Sequence, residues 1–183
     1  MSRIGAALAI VLVALLSACG QDDSGGSATK PPVSASVWTK DVCMTVRPWA
    51  GKIRTAVTNT ETTLGKSSEP KVVKPQLTQL FAGAVKSTDK AIADVDKAGV
   101  PDVDNGEQIA KNFRAALVSA RNAFAAAQKS VQGLDTSDKK KFDAAVSQVG
   151  TKLKQDYAKA GKTIETATSA ELTKAFEKEP ACQ

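Results

Sequence analysis

The apolar residues of this chain recur at intervals of three and four positions in four long stretches. These stretches span residues 38–64, 73–98, 109–134 and 142–167. Such spacing places the apolar side chains on one face of an α-helix. No stretch shows the strict alternation of a half-buried strand. Four long helices with short connections favour antiparallel neighbours, so the sequence predicts an all-α domain, an antiparallel up-down four-helix bundle.

The third and fourth stripes show this pattern most clearly. The third contains Ile109, Phe113, Leu117, Ala120, Phe124, Ala127, Val131 and Leu134. The fourth contains Phe142, Val146, Val149, Leu153, Tyr157, Ala160, Ile164 and Ala167. We expect both stripes to face the core.

Pro48 lies inside the first stripe, where a proline removes a backbone hydrogen bond and clashes with the preceding turn. We therefore expect either a kinked first helix or a short helix followed by a new one that begins near Pro48. Four glycines also fall inside predicted helices, namely Gly51, Gly83, Gly150 and Gly161. We expect them to permit close helix packing, at a cost of up to about 1 kcal/mol each.

The first 18 residues form a region of their own. A short positive segment, Met1 to Arg3, precedes an apolar run of 13 residues at positions 4–16. A membrane-spanning helix needs about 20 residues, whereas the apolar part of a secretory signal needs only about 7–15. Residues 1–18 are therefore predicted to be a signal peptide and not part of the fold.

The end of this region, Leu16-Ser17-Ala18-Cys19, resembles the lipobox of bacterial lipoproteins, Leu-[Ala/Ser]-[Gly/Ala]-Cys. The resemblance implies that a lipoprotein signal peptidase recognises Leu16, Ser17 and Ala18, and that Cys19 carries diacylglycerol on its sulfur. The new amino group of that cysteine is often acylated as well. Two acyl chains anchor a protein stably, whereas one chain does so only marginally. The alternative is an ordinary secretory signal with a chance cysteine.

Residues 19–34 are predicted to be the lipidated cysteine and a flexible tether, ahead of a helical domain at 35–183. Positions 20–34 are mostly Gly, Ser, Asp and Pro, and such a segment buries too little apolar surface to order itself. The expected location is the cell membrane, on its extracytoplasmic face. The membrane is thus the first expected partner, through the diacylglycerol on Cys19.

Lipidation of Cys19 leaves two of the three cysteines, Cys43 and Cys182. Both ends of an up-down bundle lie at the same pole, and exported proteins retain disulfides. We therefore predict a Cys43–Cys182 disulfide. The alternative is two buried free thiols.

The composition argues against most catalytic chemistry. The chain has no histidine, which removes the commonest general base and the commonest metal ligand. A nucleophilic serine or cysteine needs a base to activate it, and the sequence contains no glycine-rich phosphate loop. We expect no enzymatic activity, no cofactor and no metal site.

Two groups of residues are candidates for binding. Trp38 and Trp49 could line a ligand pocket or pack against the disulfide pole. Lys152, Lys159 and Lys162 share one face of the fourth helix and could contact an anionic surface, although such a face is usually only solvated. The net charge of +6 permits an anionic partner. Nucleic acid is not expected, because the domain is exported and lacks interleaved aromatic residues.

The mature region as a whole resembles the small helical lipoproteins of actinobacteria. The residues that carry this resemblance are Trp38, Cys43, Pro48-Trp49 and the segment "AGVPDVDNG" at 98–106. It implies no assigned activity. The sequence therefore predicts a non-enzymatic envelope protein that binds, or assists, an unknown envelope partner. The alternative is a binding module that holds a small apolar or anionic ligand within the bundle; the oligomeric state is not predicted.

Overall fold

The computed structural model describes residues 31–64, 67–165 and 169–183, and the side chains of all of these except 64 and 161–165. The predicted signal peptide, its recognition residues Leu16, Ser17 and Ala18, and Cys19 lie outside the described residues. So do the side chain of Lys162 and the surroundings of Gly161. The described elements are α1 (Ala35–Leu64), α2 (Pro70–Ala98), α3 (Gly106–Gln132), α4 (Lys139–Glu165), α5 (Ala170–Lys178) and a 3₁₀ turn (Pro180–Cys182).

Every element in the described ranges is helical, and the only β-type pairing there is an isolated bridge between Val33 and Pro101. The predicted all-α class is therefore confirmed. α1 continues through Pro48, so the alternative of a second helix beginning near that proline is wrong. Loss of one internal hydrogen bond does not end a helix whose apolar stripe is packed on both sides of the proline.

α2 packs against α1 on one side and α3 on the other, and α3 packs against α4. The main core lies between these four helices; its largest buried side chains are Trp49, Leu77, Phe81, Leu117, Phe124 and Phe142. Among the described residues, the backbones of α1 and α4 approach each other very little. As a consequence, the stripes of α2 and α3 are buried, whereas that of α4 is only partly covered and leaves Tyr157 41% exposed.

α5 and the 3₁₀ turn pack against the first half of α1. Ser169 is the N-cap of α5, because its hydroxyl accepts a hydrogen bond from the backbone N–H of Leu172 at 3.2 Å. Leu172 is fully buried in a second core cluster at this end of the molecule. The short last helix therefore seals the end at which α1 begins.

The chain enters the domain at this same end. The N–H of Val33 donates to the carbonyl of Val100 at 2.9 Å, and the carbonyl of Val33 accepts from the N–H of Asp102 at 2.7 Å. The α2–α3 loop that receives it is tight, since a Cβ on Gly106 would lie 1.9 Å from the carbonyl oxygen of Pro101. Val33, within the predicted tether, thus pairs with the helical domain.

Candidate functional site

Cys43 and Cys182 form a disulfide, as predicted, with their Cα atoms 5.1 Å apart. This separation lies within the usual range for disulfides. The bond joins the third turn of α1 to the 3₁₀ turn at the end of the chain. A guanidinium nitrogen of Arg47 also donates to the carbonyl of Ala181 at 3.4 Å, so two interactions hold the C-terminus against α1.

The two tryptophans occupy different parts of the core. Trp38 is fully buried at the disulfide end, where its ring meets Phe113 edge-on at 5.2 Å and Phe176 at 6.3 Å between centroids. Its indole N–H donates to the carbonyl of Gly99 at 3.1 Å. Of the two predicted alternatives, a ligand pocket or packing at the disulfide pole, Trp38 therefore follows the second.

Trp49 lies further along α1, in the main core. Its indole N–H donates to the hydroxyl of Thr88 at 3.0 Å, and that hydroxyl donates to the carbonyl of Ala84 at 2.7 Å. Its ring stacks on that of Tyr157 at 6.5 Å. The two tryptophans therefore do not line a common pocket, and Trp49 is the one that borders open space.

One side of Trp49 faces a small apolar cavity of about 80 Å³ between α1, α3 and α4. Val46, Phe113, Leu117 and Tyr157 are among its walls. Pockets that hold drug-sized ligands measure roughly 300–1,000 Å³, so this cavity is too small for one. Burial raises the pKa of Tyr157 above its usual value.

A wider apolar groove of about 340 Å³ follows the gap between α1 and α4. Ile53, Phe124, Leu153 and Tyr157 line it, together with the backbone at Gly150. It exists because α1 and α4 do not close on each other. The groove is lined almost entirely by apolar atoms.

The other side of Trp49 borders the α1–α2 groove, an open groove of about 470 Å³ on the surface. Its walls combine apolar residues with cations. The apolar part comprises Met44, Pro48, Trp49, Gly83 and Ala91. The cations are Lys52 on α1 and Lys86 and Lys90 on α2.

Only one of these three lysines has a carboxylate partner in the part of the chain that the structure describes. Lys90 pairs with Asp94 at 2.5 Å, and Lys97 pairs with the same carboxylate at 2.8 Å. These hydrogen bonds, that of Lys90 first, lower the pKa of Asp94 from 3.8 to about 2. Lys52 and Lys86 form no ion pair with any described residue, so their charges at the groove are uncompensated.

The predicted basic face of α4 is organised differently. The ammonium groups of Lys152 and Lys159 lie 2.5 and 3.8 Å from the carboxylate of Asp156, and the hydrogen bond from Lys152 is the main reason why the pKa of Asp156 is lowered. This carboxylate offsets part of the charge that the lysine spacing suggested. The sequence already contains the signal for this offset, because Asp156 lies four residues after Lys152 and three before Lys159, the spacing of ion pairs on one helix.

The described helical glycines do not have the predicted packing role. A Cβ added at Gly51, Gly83 or Gly150 would meet no atom within 4 Å. No neighbouring helix needs a glycine there, so the packing explanation is wrong for these three. Instead, Gly83 and Gly150 each open onto a groove.

No protein-family model matches this chain, and neither curated proteins nor solved structures yield a match. None of the helices in the described ranges combines the length and apolarity that crossing a membrane requires.

Proposed function

We propose that this protein is a membrane-anchored extracytoplasmic lipoprotein, and that its helical domain is a non-enzymatic binding or accessory protein of the envelope. The observation that carries the proposal is the Cys43–Cys182 disulfide. Disulfides persist outside the reducing cytoplasm, which supports export. The disulfide also accounts for two of the three cysteines and leaves Cys19, within the lipobox, for the lipid.

The position at which the chain enters the helical domain supports a defined orientation of the domain relative to the membrane. The bridge between Val33 and the α2–α3 loop holds the start of the domain at the end that carries the disulfide and α5. We propose that this end is nearest the membrane. In this arrangement α1 to α4 run alternately away from and toward the membrane as an up-down four-helix bundle, with the α1–α4 side left open.

The test is replacement of Cys19, with Ser17→Ala as its matched control. The lipobox accepts alanine or serine at position 17, so Ser17→Ala should be processed, labelled by radioactive palmitate and recovered with membranes. Cys19→Ala should retain the signal peptide or leave the membrane, and should take up no palmitate. A Cys19→Ala protein that is processed normally and still partitions into detergent would overturn the proposal.

A second candidate function is the binding of a small ligand. The α1–α2 groove favours it, because a volume of about 470 Å³ falls in the range typical of ligand sites, roughly 300–1,000 Å³. This site lies on the surface between two helices, whereas the sequence suggested a ligand within the bundle. Binding here requires no catalytic group.

A further inference from the structure

We propose that the α1–α2 groove binds a single anionic membrane lipid, with an acyl chain on its apolar floor and the headgroup between Lys52 and Lys86. This inference deepens the second candidate function and rests on it. Its ligand class follows from three features of the groove: an apolar floor, an uncompensated cationic rim, and backbone left open by a glycine.

The floor of the groove is largely apolar. Met44 is 58% exposed, and Pro48 and the edge of Trp49 continue the same wall along α1. Trp49 cannot turn its indole N–H toward a ligand without losing the bond to Thr88. Its contribution to the groove is therefore apolar surface, which suits a hydrocarbon chain.

The rim supplies a fixed excess of positive charge. Asp94 is the one carboxylate among the residues that line the groove, and Lys90 and Lys97 already engage it. Lys52 and Lys86 stand on opposite helices and have no described acidic partner. An anionic headgroup placed between them gains from both charges, whereas a zwitterionic headgroup gains little net attraction.

Between the apolar floor and the lysines, Gly83 leaves open space and Ser87 offers a hydroxyl group that can form a hydrogen bond. A Cβ on Gly83 would meet nothing within 4 Å, so a ligand can approach the backbone of α2. The hydroxyl of Ser87, one turn further on, forms no hydrogen bond with any described residue. The buried Thr88 beside it, in contrast, donates to the carbonyl four residues earlier. Ser87 is thus able to bind a headgroup oxygen.

The groove can reach a membrane in the proposed placement. Met44 and Lys52 lie about 14 and 26 Å along α1 from Ala35, at about 1.5 Å per residue. When the disulfide end faces the membrane, the Met44 end of the groove is therefore the part of the groove nearest the lipid.

The experiment uses the full mature protein in phosphatidylcholine vesicles that contain a small fraction of a photoactivatable lipid. The probe is phosphatidylglycerol with a diazirine on its acyl chain, and the comparison is phosphatidylcholine with the same chain. Crosslinked peptides are mapped by mass spectrometry. We expect phosphatidylglycerol to crosslink to the segments around Met44 and Trp49, and phosphatidylcholine to do so at least tenfold less.

Substitutions in and outside the groove distinguish a lipid bound in the groove from lipid that only contacts a charged surface. Gly83→Leu fills the groove, and Gly150→Leu makes the same change in the α1–α4 groove, where it should leave this crosslinking unchanged. Gly83→Leu should abolish crosslinking at Met44. Lys52→Gln and Lys86→Gln should each weaken it about fivefold, whereas Lys140→Gln, at the start of α4, should have no effect.

Several outcomes would overturn the inference. Equal crosslinking of the two lipids would remove the role of the headgroup charge. Crosslinks that survive Gly83→Leu would indicate adsorption of the cationic surface, not a lipid in the groove. Complete competition by inorganic phosphate would indicate a site for a free anion. Flotation of the vesicles reports anchoring separately, so a failure of lipidation at Cys19 is distinguished from a failure of the groove.

Discussion

The Cys43–Cys182 disulfide should be worth several kcal/mol, because it closes almost the whole helical domain into one loop. Its cysteines are 139 residues apart in sequence, and the loop-closure entropy for such a loop corresponds to about 5 kcal/mol at most. Leu172, fully buried, and Phe176, packed on Trp38, still hold α5 when the bond is absent. We therefore expect the Cys43→Ala/Cys182→Ala variant to lose about 3–5 kcal/mol of unfolding free energy.

Denaturant and thermal unfolding measure this loss. For a domain of this size, it corresponds to a fall in Tm of roughly 6–20 °C. Added reductant should lower the stability of the unsubstituted protein to that of the double variant, and should leave the variant itself unchanged. Hydrogen exchange should show faster exchange in α5 than in α3. A loss below about 1 kcal/mol with unchanged protection of α5 would refute the reasoning, since the bond would then constrain neither the unfolded chain nor the last helix.

Three further predictions concern single residues. Gly51→Ala should raise the free energy of unfolding by up to about 1 kcal/mol in denaturant titrations, because helix propensity improves and the new methyl group meets no atom within 4 Å; a loss of stability would contradict the open space around it. Thr88→Val should cost about 1–3 kcal/mol, because it leaves the buried N–H of Trp49 without an acceptor. Its matched control, Thr39→Val, should be neutral or stabilising, because that buried hydroxyl has no partner among the described residues; equal losses in both variants would show that the hydrogen bond is not the cause. Asp94 has a pKa lowered from 3.8 to about 2, so its stabilising contribution is present above about pH 4 and lost as the pH falls to about 2. The difference in stability between the native protein and Asp94→Asn should shrink over that range in acid titrations, and a difference that stays constant would contradict the assignment.

The positions of the helices could be predicted because their apolar stripes are long. Every predicted residue of the third stripe from Ile109 to Val131 is buried. These features depend on residues three or four positions apart, which one helix brings together by itself. The disulfide was predicted from the cysteine count and from the expectation of export, both of which rest on the sequence alone.

The grooves could not be predicted because they depend on how far apart whole helices lie. The fourth stripe is as regular in sequence as the third, yet Tyr157 is 41% exposed because α1 does not close on α4. The open space at Gly83 depends on how far away the neighbouring side chains lie, which the position of a glycine within a helix does not determine. The Lys152–Asp156 pair lies within one helix and is visible in the sequence, whereas Lys52 and Lys86, on different helices, meet at one groove only in three dimensions.

The most direct test of the proposed function is mass spectrometry of the protein extracted with detergent from its own cell membranes. We predict that the N-terminal peptide begins at Cys19 and carries a diacylglyceryl thioether, and that non-reduced digests contain Cys43 linked to Cys182. An N-terminus at another residue, or a Cys19 with a free thiol in membrane-extracted protein, would contradict the proposal that this domain is a lipid-anchored protein of the cell envelope.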